Sequence, residues 1–325
     1  MYEDIFQPNT NITTLNDAVK KVKNEIGKVI IGQEKMIDLL LTGLLADGHI
    51  LIEGVPGVAK TLAAKLLSRI IKVDFSRIQF TPDLMPGDVL GTSVFNPEKG
   101  SFEFKKGPIF SNIILIDEIN RAPAKTQSAL FEVMEERQVT IDGNTYKMSD
   151  PFLVLATQNP IEQEGTYRLP EAQLDRFLFK ITVDYPGIED EVNILKSQQS
   201  VNTKSLLESV EPVLNYDELK HFREMGQSVT VDPALMEYVA KIVHATRNNP
   251  AVFLGASPRA SLAILRTSKV WAAMKGRDFI TPEDIIEMCI PVLRHRLMLM
   301  PEKEMEGISV DELVQQIISE IEVPR

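Results

Sequence analysis

The chain has 325 residues, enough for about two domains at roughly 150 residues each and for a sizeable core without disulfides or metals. Hydrophobic residues make up 44% and charged residues 25%, which excludes collagen-like, disordered and low-complexity chains. The balance of 35 basic against 46 acidic residues leaves a net charge of -11, unfavourable for holding nucleic-acid phosphates, so no nucleic acid is expected as partner.

The single cysteine, Cys289, cannot form an intrachain disulfide, and the histidines at 49, 221, 244 and 295 lack metal-ligand spacing. The start, Met-Tyr-Glu-Asp, has no basic region followed by an apolar stretch, so no signal peptide is expected. The most apolar window, Met36 to Ile52, is broken by Asp38, Asp47 and His49 and is too short to span a bilayer. The expectation is a cytoplasmic protein without membrane insertion.

Residues 1–28 read as one lead-in helix around Ala18, Val19, Val22 and Ile26. From 29 to 186, short apolar runs alternate with amphipathic stretches. The runs are His49 to Ile52, Arg77 to Phe80, Ile113 to Ile116, Phe152 to Ala156 and Phe179 to Val183, a rhythm that predicts α/β with a parallel five-stranded sheet. The third and fourth runs are continuously apolar, as central strands covered on both faces should be. Ligands on such sheets bind at the carboxyl ends of the strands.

Two segments break the rhythm. Val89 to Phe95 and Ser101 to Lys105 flank a five-residue turn, predicting a hairpin over about 88–107. Gln138 to Ile141, Asp142-Gly143-Asn144 and Thr145 to Met148 predict a second hairpin over about 137–149. Such inserts either project as functional elements or merely cover the core. After Tyr185-Pro186-Gly187 helical periodicity takes over, with start signals at Asp232-Pro233, Ser257-Pro258, Thr281-Pro282 and a capping box at Ser309 and Glu312. Residues 187–325 are therefore expected to form a smaller, all-helical lid domain with a C-terminal helix.

Chemistry concentrates after the first strand, where Gly54-Val55-Pro56-Gly57-Val58-Ala59-Lys60-Thr61 opens a helix beginning at Leu62, the context a phosphate-binding loop requires. Backbone N–H groups there can ring a β-phosphate, the helix N-terminus adds about half a positive charge, Lys60 can neutralise phosphate oxygens and Thr61 can offer a hydroxyl to Mg²⁺. Ala59 stands where the general motif has Gly and is expected in the right-handed helical conformation. The third strand ends in Asp117-Glu118. Two acids closing a buried apolar strand are costly unless a cation or a reaction employs them: Asp117 is assigned to Mg²⁺ and Glu118 to activating a water, although Glu118 alone also suits a helix N-terminus. Asn159, after the fourth strand, is placed to bond a water or the γ-phosphate, or simply forms a turn before Pro160. Arg259, in the first turn of a helix, opposes the helix dipole and needs an anion, either a γ-phosphate met by lid closure or a carboxylate. Arg176 reads as an exposed arginine that can pair with Asp175.

These motifs together, with Leu-Ile-Asp-Glu-Ile-Asn-Arg-Ala-Pro, Ala-Thr-Gln-Asn-Pro, Leu-Pro-Glu-Ala-Gln-Leu-Asp-Arg-Phe and Gly-Ala-Ser-Pro-Arg-Ala, resemble the MoxR family of AAA+ ATPases over about Val29 to Arg296. The resemblance implies Walker A roles for Lys60 and Thr61, Walker B roles for Asp117 and Glu118, sensor 1 for Asn159, an arginine finger acting on a neighbouring subunit for Arg176 and sensor 2 for Arg259. The hairpins resemble that clade's helix-2 insert and pre-sensor-1 hairpin, and the stretch at Ile31-Gly32 its adenine-side segment; Arg121 is a weaker interface candidate. The family implies ATP and Mg²⁺ as cofactors, a homo-oligomer in the form of a hexamer, and a protein client, often one with a von Willebrand factor A domain. The expected function is ATP hydrolysis that matures or activates a partner protein. A nucleotide-dependent scaffold without turnover and a DNA-translocating motor are the competing readings; the pairing of Glu118 with Arg176 counts against the first and the acidic balance against the second.

Overall fold

A computed structural model describes residues 10–55, 57–160, 167, 169–200 and 207–324. Residues 1–9 of the expected lead-in helix and Pro56 of the glycine-rich loop lie outside them. Five parallel strands form the centre: β1 (Ile50–Gly54), β2 (Phe75–Gln79), β5 (Ile113–Asp117), β8 (Leu153–Gln158) and β9 (Phe179–Val183), in the order β2-β5-β8-β1-β9. All five predicted runs are strands, with ends shifted by up to two residues. The two continuously apolar ones, β5 and β8, sit at the second and third places of the sheet.

Alternation along these strands feeds two cores. Ile50, Ile52, Leu115 and Leu155 join one apolar cluster, while Leu51, Ile114, Ile116, Val154 and Ala156 join the other. Full burial of one such aliphatic side chain contributes about 1.5–3 kcal/mol, so both faces must be covered. The first face is covered by α2 (Glu34–Leu45) and α3 (Lys60–Ile71), with α1 (Thr10–Gly27) packed on α3, and its cluster runs on without interruption into the helices after residue 187. The second is covered by α5 (Ala124–Glu136) and by α4 (Pro86–Leu90).

The inserts are antiparallel hairpins, β3 (Gly91–Asn96) with β4 (Ser101–Lys106) and β6 (Gln138–Ile141) with β7 (Asn144–Lys147). The first is shorter than expected. Pro86 opens a helical turn, the Met85 N–H donates to the Asp88 carboxylate at 2.9 Å, and Gly91 at φ 103° turns the chain into the strand, so Val89 and Leu90 are not extended. In the second, Asp142 (φ 50°) and Gly143 (φ 78°) form the two-residue left-handed turn that suits the twist of paired strands. The hairpins lean on one another: Phe104 packs on Tyr146 with ring centroids 4.5 Å apart, and the Ser93 hydroxyl donates to Asp142.

After the short α6 (Glu171–Leu174) and β9 come α7 (Ile188–Ser200), α8 (Tyr216–Ser228), α9 (Pro233–Asn248), α10 (Pro258–Met274), α11 (Pro282–Leu293), α12 (Pro301–Met305) and α13 (Val310–Ser319). The lid is helical in class, but Val252–Leu254 and Met298–Leu299 pair as a small ladder, β10 with β11, too short to leave a periodic signal. Buried Arg296 fastens this part to the sheet, donating to the Asp175 carboxylate at 2.7 Å and the Phe177 carbonyl at 2.7 Å.

Candidate functional site

The loop between β1 and α3 is built on close approach. A side chain at Gly54 would stand 2.7 Å from the Val183 carbonyl, and buried Val58 packs beneath. Gly57 (φ 91°) and Ala59 (φ 59°, ψ 18°) both adopt left-handed conformations. This corrects the expectation for Ala59: it is not the first right-handed helical residue but the left-handed residue that caps α3, turning the loop before the helix begins at Lys60. Such a conformation costs a residue with Cβ about 1–2 kcal/mol and is tolerated where the surroundings over-determine it. Val55 is half-buried, while Thr61 and Leu62 lie in the first turn of α3. Lys60 reaches back over the loop, and its Nζ donates to the Gly54 carbonyl at 2.5 Å. Burial lowers the Lys60 pKa, opposed by the negative charges of Asp117, Glu118 and Glu53 close by.

Asp117 and Glu118 meet Lys60 from the end of β5. The Asp117 carboxylate accepts from Thr157 Oγ1 at 3.1 Å and from Arg77 Nε at 2.5 Å. Glu118 is left-handed at φ 57°, its N–H donates to Thr157 Oγ1 at 3.1 Å, and its carboxylate accepts from Gln79 Nε2 at 2.9 Å. Arg121 pairs with that same carboxylate at 3.0 Å. Buried Asn159 follows β8 at the same edge of the sheet. The sequence reading missed Arg77, Gln79 and Thr157. A period-two pair of polar residues ending β2 was visible, but only the neighbour relation β2-β5 makes it face the acids.

Gly32 (φ 75°) leaves no room for a side chain, since a Cβ would lie 2.4 Å from Asp190 Oδ2. Ile31, Gly32, Gln33 and Asp190 line a cavity of about 850 Å³. Gln33 donates to the Asp184 carbonyl at 3.1 Å, which ties this segment to the end of β9 and so to Gly54.

Arg176 and Arg259 stand elsewhere. Both reach Glu135 at the end of α5, Arg176 Nη1 to Oε2 at 3.2 Å and Arg259 Nη2 to Oε1 at 3.0 Å. They line a cavity of about 380 Å³ together with Asp47, Gly48 and His49, at the amino end of β1. The five residues of β1 separate it from Gly54, roughly 17 Å of extended chain. Of the two anions left open for Arg259, the one it meets here is the carboxylate. Asp175 is taken by Arg296 rather than by Arg176, and Ser257 Oγ, which does not cap α10, donates to Asp175 at 3.1 Å.

Among the described residues no cluster of three or more His, Cys, Asp or Glu is suited to a metal, and no helix is long and apolar enough to cross a membrane. A parallel sheet ordered β2-β5-β8-β1-β9, a glycine-rich loop between β1 and α3, acids ending β5 and a helical lid define the class as an AAA-type ATPase fold. The sequence profile of the ATPase family associated with various cellular activities (AAA) matches residues 49–179, and that of the AAA lid domain matches residues 244–317. Chaperone MoxR1 of Mycobacterium tuberculosis is 44% identical over 97% of this chain and 83% of its own length, and Protein MoxR of Methylorubrum extorquens is 30% identical over 96% and 97%. A crystal structure of a Cytophaga hutchinsonii protein, 43% identical, superposes with a TM-score of 0.90 over 97% of this chain and 98% of its own. The chain belongs to the MoxR family of AAA+ ATPases.

Proposed function

We propose that the protein is a Mg²⁺-dependent ATPase that works as a homo-oligomeric ring, possessing a nucleotide-binding part at 29–186 and a lid at 187–325, and that it remodels or matures a client protein in the cytoplasm. The observation that carries this reading is the convergence of Lys60, Asp117 and Glu118 at the carboxyl ends of β1 and β5, close enough for the two acids to act on the lysine charge. The N–H groups of the 54–61 loop and Lys60 bind the phosphates, and Ile31 and Gly32 border the base. The oxygen donors Thr61 and Asp117 fit a hard cation and would hold Mg²⁺, which when bound would supply positive charge to offset that developing on the phosphoryl oxygens.

Glu118 accepts a proton from the attacking water as the bond between the β- and γ-phosphoryl groups breaks, and Asn159 orients that water. Arg121, Gln79 and Thr157 hold Glu118 and its backbone in position. Arg176 and Arg259, remote from their own loop, serve the nucleotide of the adjacent subunit. That a relative is named a chaperone supports a protein client, of which a von Willebrand factor A-domain protein is one form.

The test is phosphate release at rising protein concentration. Turnover per subunit should rise with assembly and should vanish in Glu118→Gln; equal background rates in both proteins would overturn the catalytic reading.

A further inference from the structure

One helix of the fold leaves an apolar stripe exposed among the described residues. In α7, none of residues 188–197 is buried, and Ile188, Val192 and Leu195 are 84%, 42% and 67% exposed. Their spacing of four and then three residues puts them on one face. A 13-residue helix is marginal in water without tertiary packing, so this stripe calls for a cover. Acids flank it, since Glu189, Asp190 and Glu191 occupy the first turn. Its foot is fixed, because Asp190 lies against Gly32 beside the cavity assigned to the base.

At the opposite end of the sheet α10 offers the complement. Arg259, Leu262 and Arg266, spaced three and four apart, share one face, and Leu262 is 69% exposed. Arg266 makes no hydrogen bond or ion pair among the described residues. The cavity beneath that face is lined by five arginines, 137, 176, 259, 266 and 296, against three carboxylates, Asp47, Glu135 and Asp175. One surface is thus apolar with an acidic border and the other apolar with a basic border, and the two lie toward opposite ends of the sheet.

We propose that the α7 face of one copy, centred on Ile188, Glu191, Val192 and Leu195, docks head to tail on the α10 face of a second copy, centred on Arg259, Leu262 and Arg266. A contact between different patches repeats around a ring, unlike a contact of one patch with itself. The same docking carries Arg176, which shares Glu135 with Arg259, toward the neighbour's Gly32 side. It overcomes the repulsion of subunits that each carry a net charge of -11, because opposite charges meet locally. This inference rests on the ring reading and names the surfaces that build the ring.

The test uses the full chain with ATP and Mg²⁺. Leu195→Cys combined with Leu262→Cys, treated with a short bismaleimide, should give a ladder of covalent species beyond the dimer, whereas each single variant gives none; the native Cys289 is buried and does not compete. In sedimentation, Glu191→Arg or Arg266→Glu alone should raise the concentration needed for assembly by about tenfold or more, and the double variant should recover most of that loss. Circular dichroism and nucleotide binding at low concentration verify that each variant is folded. A wild type that stays monomeric overturns both this contact and the ring. A wild type that assembles while the charge variants assemble equally well overturns the contact alone, as do dimers formed by Leu195→Cys by itself, which would mean that α7 packs on α7.

Discussion

Arg176 and Arg259, 83 positions apart in the chain, are held by the two oxygens of one carboxylate, Glu135, at 3.2 and 3.0 Å. Both arginines are thereby tied to the end of α5, and the cavity they border faces away from the 54–61 loop of its own chain. Arg176 is half-buried and also donates to the Phe131 carbonyl at 2.6 Å, so Arg176→Ala should cost about 1–2 kcal/mol in denaturant unfolding and leave the fold intact. Phosphate release by the assembled protein should nonetheless fall by about 10³-fold or more with ATP binding retained, the signature of an arginine supplied in trans. Mixing it with Lys60→Ala should restore part of the activity, since each variant keeps the half that the other lacks.

Arg77 competes with any cation for Asp117. Its Nε lies 2.5 Å from Asp117 Oδ2, so a bound metal must share or displace that contact. Arg77→Ala should lower the Mg²⁺ concentration for half-maximal phosphate release by about tenfold, equivalent to about 1.4 kcal/mol. A Mg²⁺ titration that is unchanged or shifted upward would show that Arg77 supports the acidic site instead.

Ala59 tests whether the left-handed turn of the loop is strained. Glycine accepts φ 59° without penalty, so Ala59→Gly should be neutral or stabilising by up to about 1 kcal/mol in denaturant unfolding, even though glycine is the more flexible residue in the unfolded chain. Ala59→Val, with a branched side chain forced into the same region, should destabilise the loop and weaken nucleotide binding.

His49 predicts the acid limb of the stability curve. Burial lowers its pKa from 6.5 to about 4, against the opposing effect of its hydrogen bond with the Met134 carbonyl. The Val154 N–H donates to Nδ1 at 3.0 Å, so Nε2 carries the single proton and a second one would break that bond. Between about pH 6.5 and 4 the unfolded chain binds the extra proton and the folded chain does not. Stability should therefore be full above pH 6.5 and fall by about 1.4 kcal/mol per pH unit below it. His295, whose pKa burial also lowers, adds to the slope. Replacing His49 by Asn should flatten this limb in pH-dependent denaturant unfolding, whatever it does to stability at neutral pH.

Arg296 is the strongest candidate for a structural staple. It is buried and satisfies Asp175 together with the carbonyls of Phe177, Leu178 and Val292. Arg296→Met keeps the volume but leaves Asp175 without its cation and with only the Ser257 hydroxyl, so thermal and denaturant unfolding should show a loss of about 3–5 kcal/mol. A loss under about 1 kcal/mol would mean that water replaces the guanidinium.

The local elements were legible because each obeys a short-range rule. Strands β5 and β8 announce themselves by unbroken apolar runs, the 138–147 hairpin by Asp142-Gly143, and α13 by its Ser309–Glu312 capping box, which the structure forms with the Glu312 N–H donating to Ser309 Oγ at 3.2 Å. The 54–62 stretch and the pair Asp117-Glu118 were legible as candidates for the same reason: residue type and spacing relative to a strand end are properties of the sequence itself. What the sequence could not say is who stands beside whom across the sheet. That Arg77 and Gln79 face the acids follows from β2 pairing with β5, and that Arg176 and Arg259 share Glu135 follows from where the tertiary fold brings the first turn of α10 and the end of α6 to the end of α5. Such neighbours are chosen by the burial of both sheet faces as a whole, an energy summed over dozens of side chains, and no window of consecutive residues contains it. Ala59 marks the same divide on the smallest scale: its identity was known from the start, but its left-handed turn belongs to the loop around it.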